Sequence, residues 1–308
     1  MRHQSQSTNS QRNPHVTTPN STYDVLVVGC GLMGSALARA LARKGHTVAA
    51  WNRTPEKARA LADHGVTPID DIDTAVRSTN LVVTCTATYD TTRSALDEVS
   101  TWADTTIVNV GTGTPDDADE MHRWVTARGA DYLDGSILCY PEHIGTPDGL
   151  ILVSGPAPTW DVNRSVLTAL GHVTHVSSRI RGASILEVTM SGGFYIAALA
   201  AYVEAASYAL EQGLTAGELT DVTQTVVDLL GSVTASTAAD IEAKRYDTDQ
   251  ATIAVYSAGM GMCLDAMRRA GHRSRMIEAS AELLSAAEAA GLGQQGFAAQ
   301  ATLCGSGR

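Results

Sequence analysis

The stretch from Tyr23 to Lys57, YDVLVVGCGLMGSALARALARKGHTVAAWNRTPEK, constrains this chain more than any other. An apolar, β-favouring run (Val25 to Val28) ends in Gly29-Cys30-Gly31-Leu32-Met33-Gly34. A helical pattern with Leu37 and Leu41 follows, then Gly45 and a second strand pattern from Thr47 to Trp51. Strand, glycine turn, helix and strand in this order predict a dinucleotide-binding βαβ unit. Gly29 permits the tight turn, Gly31 lets a pyrophosphate approach the backbone, and Gly34 lets helix and strand pack closely. The phosphates would sit on the free N–H groups at the helix start, around Leu32 and Met33.

The end of the second strand selects the cofactor. An NAD site carries Asp or Glu there for the ribose 2′-hydroxyl. This chain has Asn52-Arg53-Thr54. A carboxylate would repel a 2′-phosphate, whereas a guanidinium grips it with two hydrogen bonds. Thr54 as an N-cap with Pro55 at the first helical position is the simpler reading of those two residues. It leaves Lys57 unexplained, because a cation in the first turn opposes the helix dipole unless an anion docks nearby. NADPH is therefore the expected cofactor.

The 308 residues fit two domains, and 44% hydrophobic content is enough for ordinary globular cores. A net charge of −11 argues against nucleic acid as the main partner but not against a local phosphate pocket. No apolar run approaches the length of a membrane span, so no membrane partner is expected. Cys30, Cys85, Cys139, Cys263 and Cys304 are odd in number and lack CxxC spacing, which reads as reduced thiols in a cytoplasmic protein. The nine His are scattered, and no metal site is expected. Residues 1–22, rich in Ser, Thr, Asn and Gln, read as a disordered tail, and Gly305 to Arg308 as a loose end.

Helices are expected over Pro55 to His64, Asp70 to Ser78 and 91–100. Strands are expected over Leu81 to Ala87, Thr106 to Val110, Tyr132 to Leu138, Leu150 to Ser154 and His172 to Val176. Thr114, Pro115, Asp116 and Asp117 open one helix, and Trp160 to Leu170 forms another. The strand tips at Thr84 to Thr88, including Thr86, and at Asn109 to Thr114, including Thr112, should face the cofactor. His143 lies in a turn-rich connection and reads as a structural group. From Gly182 onward only helical patterns occur: a long helix over Ala183 to Gln212, then Thr215–Glu218 as a capping box and helices over Val222 to Ala243, Thr252 to Ala270 and Met276 to Ala290. The expectation is an α/β fold with a Rossmann domain over 23–180, a long interdomain helix and an all-helical C-terminal domain over 181–304. The Ala-rich faces of the long helix suggest packing against another helix, from a second subunit.

Glu187 lies among apolar neighbours, with Ser191 and Tyr195 at i+4 and i+8. Such a stripe fits a reaction that needs one proton and a polar anchor. A Glu near a helix start, favoured by the dipole and open to water, is the equal alternative. Met260, Met262, Cys263 and Met267 read as core filling before a substrate wall.

The blocks GCGLMGSALA, GHTVAAWNRTPEKA, VNVGTGTP, YLDGSI, PEHIGTPDGLILVSG and ASILEV…FY resemble the NADPH-dependent imine reductases and reductive aminases, relatives of the β-hydroxyacid dehydrogenases. The resemblance implies two subunits that exchange helical domains, with each active site at the dimer interface. It implies that Arg53, with Asn52, Thr54 and Lys57, holds the 2′-phosphate. Glu187 falls where the family usually carries Asp or Tyr as its proton-handling residue, and Tyr195 on a tyrosine that often lines the pocket. Thr112 stands where some reductive aminases have Asn. The implied reaction is hydride transfer from NADPH to the carbon of a C=N bond of a small-molecule imine. A β-hydroxyacid dehydrogenase would need a Lys on the long helix, which has none, and a cation for the acid, for which Arg179 and Arg181 are the nearby options. A non-catalytic NADP-binding regulator is the third reading.

Overall fold

The structure, a computed structural model, describes residues 21–102 and 104–305. The tail read over 1–22 lies outside them up to residue 20, and the loose end read from Gly305 lies outside them from residue 306. The chain forms two compact units, one ending at Gly192 and the other beginning at Gly193.

The first unit is built on β1 (Val25–Val28), β2 (Val48–Trp51), β3 (Val66–Pro68), β4 (Leu81–Thr84), β5 (Thr106–Asn109), β6 (Asp131–Ile137), β7 (Leu150–Ser154) and β8 (His172–Ser177). They form one sheet in the order β3-β2-β1-β4-β5-β6-β7-β8, parallel throughout except for β6 against β7. The first six strands follow the order 3-2-1-4-5-6 of doubly wound nucleotide-binding sheets. Strand direction in sequence reverses between β1 and β4, which opens a crevice at their carboxyl ends. The helices here are α1 (Leu32–Arg43), α2 (Pro55–Arg59), α3 (Ile72–Arg77), α4 (Tyr89–Leu96), α5 (Pro115–Thr126), α6 (Ala157–Leu167) and α7 (Gly182–Leu186).

Alternation along each strand splits the core into two layers. Val25 and Val27 point to the face covered by Leu37 and Leu41 of α1. Leu26 and Val28 point to the face covered by Val76 of α3, Leu96 of α4 and Met121 of α5. The sequence reading missed β3, a three-residue edge strand that ends in proline. It merged α2 with a separate 3-10 turn at Ala62–His64. The Thr114 capping box is present, with Asp117 as its reciprocal partner. His143 Nδ1 accepts from the Tyr140 N–H at 3.4 Å, a structural role.

A continuous helical run covers Gly182–Glu211, but its winding changes. Glu187–Ile196 is π-helical, between α7 and α8 (Ala197–Glu211). Bonds from i to i+5 replace the α pattern there. The α-helical stripe expected for Glu187, Ser191 and Tyr195 is therefore not the geometry of this segment. The run is also long and apolar enough, by length and composition, to cross a membrane, with mean hydropathy 1.4 in its best window. That corrects the expectation that no apolar run approaches such a length: Gly, Ser and Thr dilute this one without ending it.

The second unit holds α8, α9 (Ala216–Ala243), α10 (Ile253–Arg269), α11 (Arg275–Ala289) and α12 (Ala301–Cys304). Its core is small: Ile253, Leu284, Ala287 and Ala299, with Met260 packed against them. Met267 is buried as well, whereas Met262 is 69% exposed. The Glu204 carboxylate of α8 accepts from the N–H groups of Met276 (2.9 Å) and Ile277 (3.3 Å), so it caps α11 from outside that helix.

Candidate functional site

The glycine turn lies at the β1–β4 crevice. Gly29 has φ +100, and a Cβ there would meet the Cys85 carbonyl oxygen at 2.4 Å. A Cβ on Gly34 would meet the Gly29 carbonyl oxygen at 1.8 Å. A Cβ on Gly31 would meet nothing within 4 Å. Gly29 and Gly34 are thus fixed by the protein's own packing, and Gly31 faces open space. Gly31 is the N-cap of α1 and supplies no side-chain cap, Leu32 is 85% exposed, and no acidic side chain sits in the first turn. These are the features an anion-binding helix start requires. The Cys30 thiol, beside the turn, is pushed up to about 11 by burial.

The candidate 2′-phosphate residues divide by role. Asn52 holds the turn: its Oδ1 accepts from the Cys30 N–H at 2.8 Å and its Nδ2 donates to the Thr54 carbonyl at 3.0 Å. Arg53 and Lys57 are exposed and form no ion pair among the described residues. Thr54 occupies the N-cap position of α2, but its hydroxyl makes no cap hydrogen bond. The simple capping explanation of Thr54 therefore has no hydrogen bond behind it. Arg53, Thr54 and Lys57 leave two cations and a hydroxyl uncommitted at the end of β2, and a phosphate fits that donor set. Thr86, at the tip past β4, turns inward: its hydroxyl donates to the Thr88 carbonyl at 2.9 Å and pairs with Thr92 at 2.7 Å. It is a wall of the crevice rather than a free donor.

Glu187 belongs to the first unit, at the start of the π segment. It is half-buried, and its Oε2 is buried without a hydrogen-bond partner. Burial raises its pKa, and the Thr112 hydroxyl, the Ser136 hydroxyl and the Gly113 N–H nearby pull it partly back. None of these three closes to a full hydrogen bond on Oε2, and Ser136 Oγ is itself buried without a partner. Thr112 is exposed on the loop after β5. Tyr195 lies in the second unit and is 49% exposed.

Behind Glu187 lies a polar cluster that the sequence reading did not single out. Asp134 is fully buried, and its Oδ1 accepts from the Tyr89 hydroxyl at 2.7 Å and the Tyr132 hydroxyl at 2.9 Å. Asn109, its register partner on β5, accepts from Thr84 at 2.7 Å and Thr92 at 3.2 Å. The ring of Tyr89 lies against Gly113, where a Cβ would meet it at 2.3 Å. The signal for this cluster was an acid inside an apolar strand, Leu133-Asp134-Gly135, a position a carboxylate occupies only with partners.

Residues 24–192 match the family described as the NAD-binding domain of 6-phosphogluconate dehydrogenase. Residues 185–305 match the C-terminal domain of NADPH-dependent reductive aminase-like proteins. The chain belongs to the imine reductase and reductive aminase family. The NADPH-dependent reductive aminase of Aspergillus oryzae is 32% identical over 171 residues, which cover 55% of this chain and 58% of that protein. The match thus spans less than two thirds of that relative's length. Solved structures match over more: an imine reductase from Pseudomonas sp. has TM-score 0.86 at 29% identity, covering 93% of this chain and all of that one. An imine reductase from Myxococcus stipitatus in complex with NADP+ has TM-score 0.84 at 26% identity, covering 92% of this chain and 100% of that one. Arg181, one of two cations considered for a hydroxyacid, is engaged by Asp116 and Asp119 of α5.

Proposed function

We propose that this protein reduces a C=N bond of a small-molecule imine or iminium to the amine, with NADPH as reductant. The observation that carries the reading is Glu187: a half-buried carboxyl with an unpaired buried oxygen, beside the loop that follows β5 and Ser136 of β6. NADPH, when bound, supplies the hydride to carbon. Gly31, Leu32, Met33 and Gly34 would hold its pyrophosphate on the start of α1. Arg53, Thr54 and Lys57 would hold the 2′-phosphate, with Asn52 fixing their loop and the Thr86 and Thr112 tips closing the crevice. Glu187 would hand its proton to the nitrogen of a neutral imine or, ionised, face the charge of an iminium. Burial favours the first role and a bound cation the second. Tyr195 would orient the nitrogen or a water.

We further read the protein as a cytoplasmic, domain-swapped homodimer, with 23–180 binding the nucleotide and 181–304 supplying dimerisation and substrate surfaces. Neither α8 nor α9 buries a single residue, and Val222, Val226, Leu229 and Val203 are 57–62% exposed. So much apolar surface on long helices calls for a second chain. Glu204 within the long helix and Glu211 at its end, both hydrogen-bonded, place charge along that helix and favour that reading over a membrane span.

The test is NADPH oxidation followed by absorbance with a panel of cyclic imines, beside NADP+ with β-hydroxyacids. Imine turnover, lowered at least about tenfold by Glu187→Gln, is expected. Hydroxyacid oxidation alone would establish the dehydrogenase reading. Tight NADPH binding with neither activity would establish a regulator. Undiminished turnover in Glu187→Gln would remove Glu187 from the reaction.

A further inference from the structure

Ser154 ends the apolar strand β7, after Leu150-Ile151-Leu152-Val153, and is fully buried. A hydroxyl in such a place calls for partners. Both of its partners lie on one turn of chain. It donates to the Ile180 carbonyl at 2.5 Å and accepts from the Ala183 N–H at 2.8 Å. Ala183 is in the first turn of α7, whose own N-cap residue, Arg181, supplies no side-chain cap. Ser154 therefore caps that helix from a neighbouring strand. Gly182 sets how closely the turn lies: a Cβ there would stand 2.5 Å from the Ser177 Cβ and 3.2 Å from the Ser154 Cβ. A second hold on the same turn comes from α5, where Asp116 and, at 3.3 Å, Asp119 pair with the Arg181 guanidinium. Glu187 follows Ala183 by four residues, one helical turn, and so lies above it on the same face. From Glu187 on the winding changes, and Val188 and Met190 are 49% and 44% exposed. The place of the Glu187 carboxyl is thus set from the Ala183 side.

We propose that Ser154 and Arg181 are positioning residues for Glu187: they fix the first turn of α7, and with it the place of the carboxyl one turn further on. The proposal rests on the imine-reducing reading above and says what holds its acid in place. A proton donor works only within hydrogen-bond reach of the atom it serves, about 2.6–3.2 Å. The rise from Ala183 to Glu187 is about 6 Å, so a tilt of about 10° at an unpinned first turn carries Glu187 about 1 Å away. A misplacement of about 1 Å costs about a hundredfold in rate when it is permanent, and less when the turn only samples it. Neither residue needs to meet substrate or cofactor, because each acts through the backbone of one turn. Ser154 sets that turn against β7, and Arg181 ties it to the helix that begins just after Thr112 and Gly113.

Two measurements on the full-length protein test this. The first needs no turnover: amide hydrogen exchange over 180–192 in the parent, in Ser154→Ala and in Arg181→Gln. Ser154→Ala removes one oxygen and adds no volume. Arg181 is partly exposed, so Arg181→Gln keeps the fold even if the buried change does not. Exchange should quicken by about tenfold at Ala183 in Ser154→Ala and carry through to Glu187 in both variants. Quickening confined to Ala183, or none in either folded variant, would overturn the proposal. The second follows NADPH-dependent turnover of the cyclic imines. The kcat should fall about tenfold in Ser154→Ala and about threefold in Arg181→Gln, with KM for NADPH unchanged. Placed in Glu187→Gln, either change should cost nothing further, since no donor is left to position. Equal losses with and without the Glu187 carboxyl, or an undiminished kcat in either folded variant, would overturn the proposal and leave a structural role. Absence of imine turnover in the parent, with exchange carrying through to Glu187, would overturn the reaction and leave the anchored turn standing.

Discussion

A single methyl group at residue 34 or residue 31 separates what the protein needs from its glycine turn from what the cofactor needs. The Cβ of Gly34→Ala would lie 1.8 Å from the Gly29 carbonyl oxygen and 2.9 Å from its carbon. Both atoms are backbone, and Gly29 is itself held against the Cys85 carbonyl. No flexible side chain can yield, so α1 and the turn must part by more than about an ångström in a close-packed layer. Overpacking of this kind costs about 1–3 kcal/mol, and a backbone contact belongs at the upper end. The same movement carries the N–H groups of Leu32 and Met33 off the phosphates. A hydrogen bond to a charged group contributes about 1.5–3 kcal/mol, so losing one raises the NADPH Kd by about 10- to 100-fold. Gly31→Ala behaves differently. Its Cβ meets nothing within 4 Å, and the backbone at φ −72, ψ −168 accepts any residue. The unliganded protein should keep its stability within about 0.5 kcal/mol. Its methyl fills the space a phosphate would take, so only NADPH binding suffers. Thermal melts and calorimetric titrations with NADPH and with 2′-AMP, which lacks the pyrophosphate, read the difference. Gly34→Ala should lose melting temperature and NADPH affinity, Gly31→Ala affinity alone, and both should retain 2′-AMP. Unchanged NADPH affinity in Gly31→Ala would refute the placement of the pyrophosphate.

Arg53→Ala should weaken NADPH binding by about 10-fold or more while leaving NADH nearly untouched, since only the 2′-phosphate meets the guanidinium; equal losses for both cofactors would place Arg53 elsewhere. The Asp134 carboxyl, at 3.8 unfolded and about 6 folded, makes the native state bind an extra proton between those values. Stability therefore falls as pH rises through that window, by about 3 kcal/mol in all. Asp134→Asn should flatten the dependence of melting temperature on pH between about 4 and 6, and an undiminished slope would show that Asp134 is not perturbed. Glu204→Ala leaves the N–H groups of Met276 and Ile277 without their acceptor and should cost about 1–3 kcal/mol by denaturant titration of the full chain. A loss below about 0.5 kcal/mol would mean water replaces the carboxylate there.

The first half of the molecule was readable because its rules are local. Strand alternation, the glycine spacing and the Thr114–Pro115–Asp117 cap each involve residues a few positions apart. β3 escaped because three edge residues carry no periodicity. The second half gave its helices for the same local reason, with the limits of α10 and α11 within a residue or so of expectation. The expectation of a small core there is matched by the cluster of Ile253, Leu284, Ala287 and Ala299.

The candidate site was readable only in part, because its chemistry depends on distances across the sheet and on the winding of one segment. Arg53 and Lys57 could be found by asking which cations had no local reason to be where they are. Glu187 could be found as a carboxylate among apolar residues, but its surroundings could not, since the α period assigned it a face that the π winding does not keep. A helix with i→i+5 bonds is rare and tends to mark function. Here it begins at the carboxyl in question and contains Gly192 and Gly193, residues that tolerate unusual backbone. The same segment leaves Glu187 Oε2 buried and unpaired while the ordinary α7 turn before it is docked through Ser184. An unpaired buried oxygen costs about 1–3 kcal/mol, which a fold tolerates when a ligand or a proton completes the group. Asp134 carries the same cost on the adjoining strand with two tyrosines already committed to it. The π winding and the unpaired Glu187 oxygen therefore fall at one place, where the change of winding sets what that carboxyl can reach.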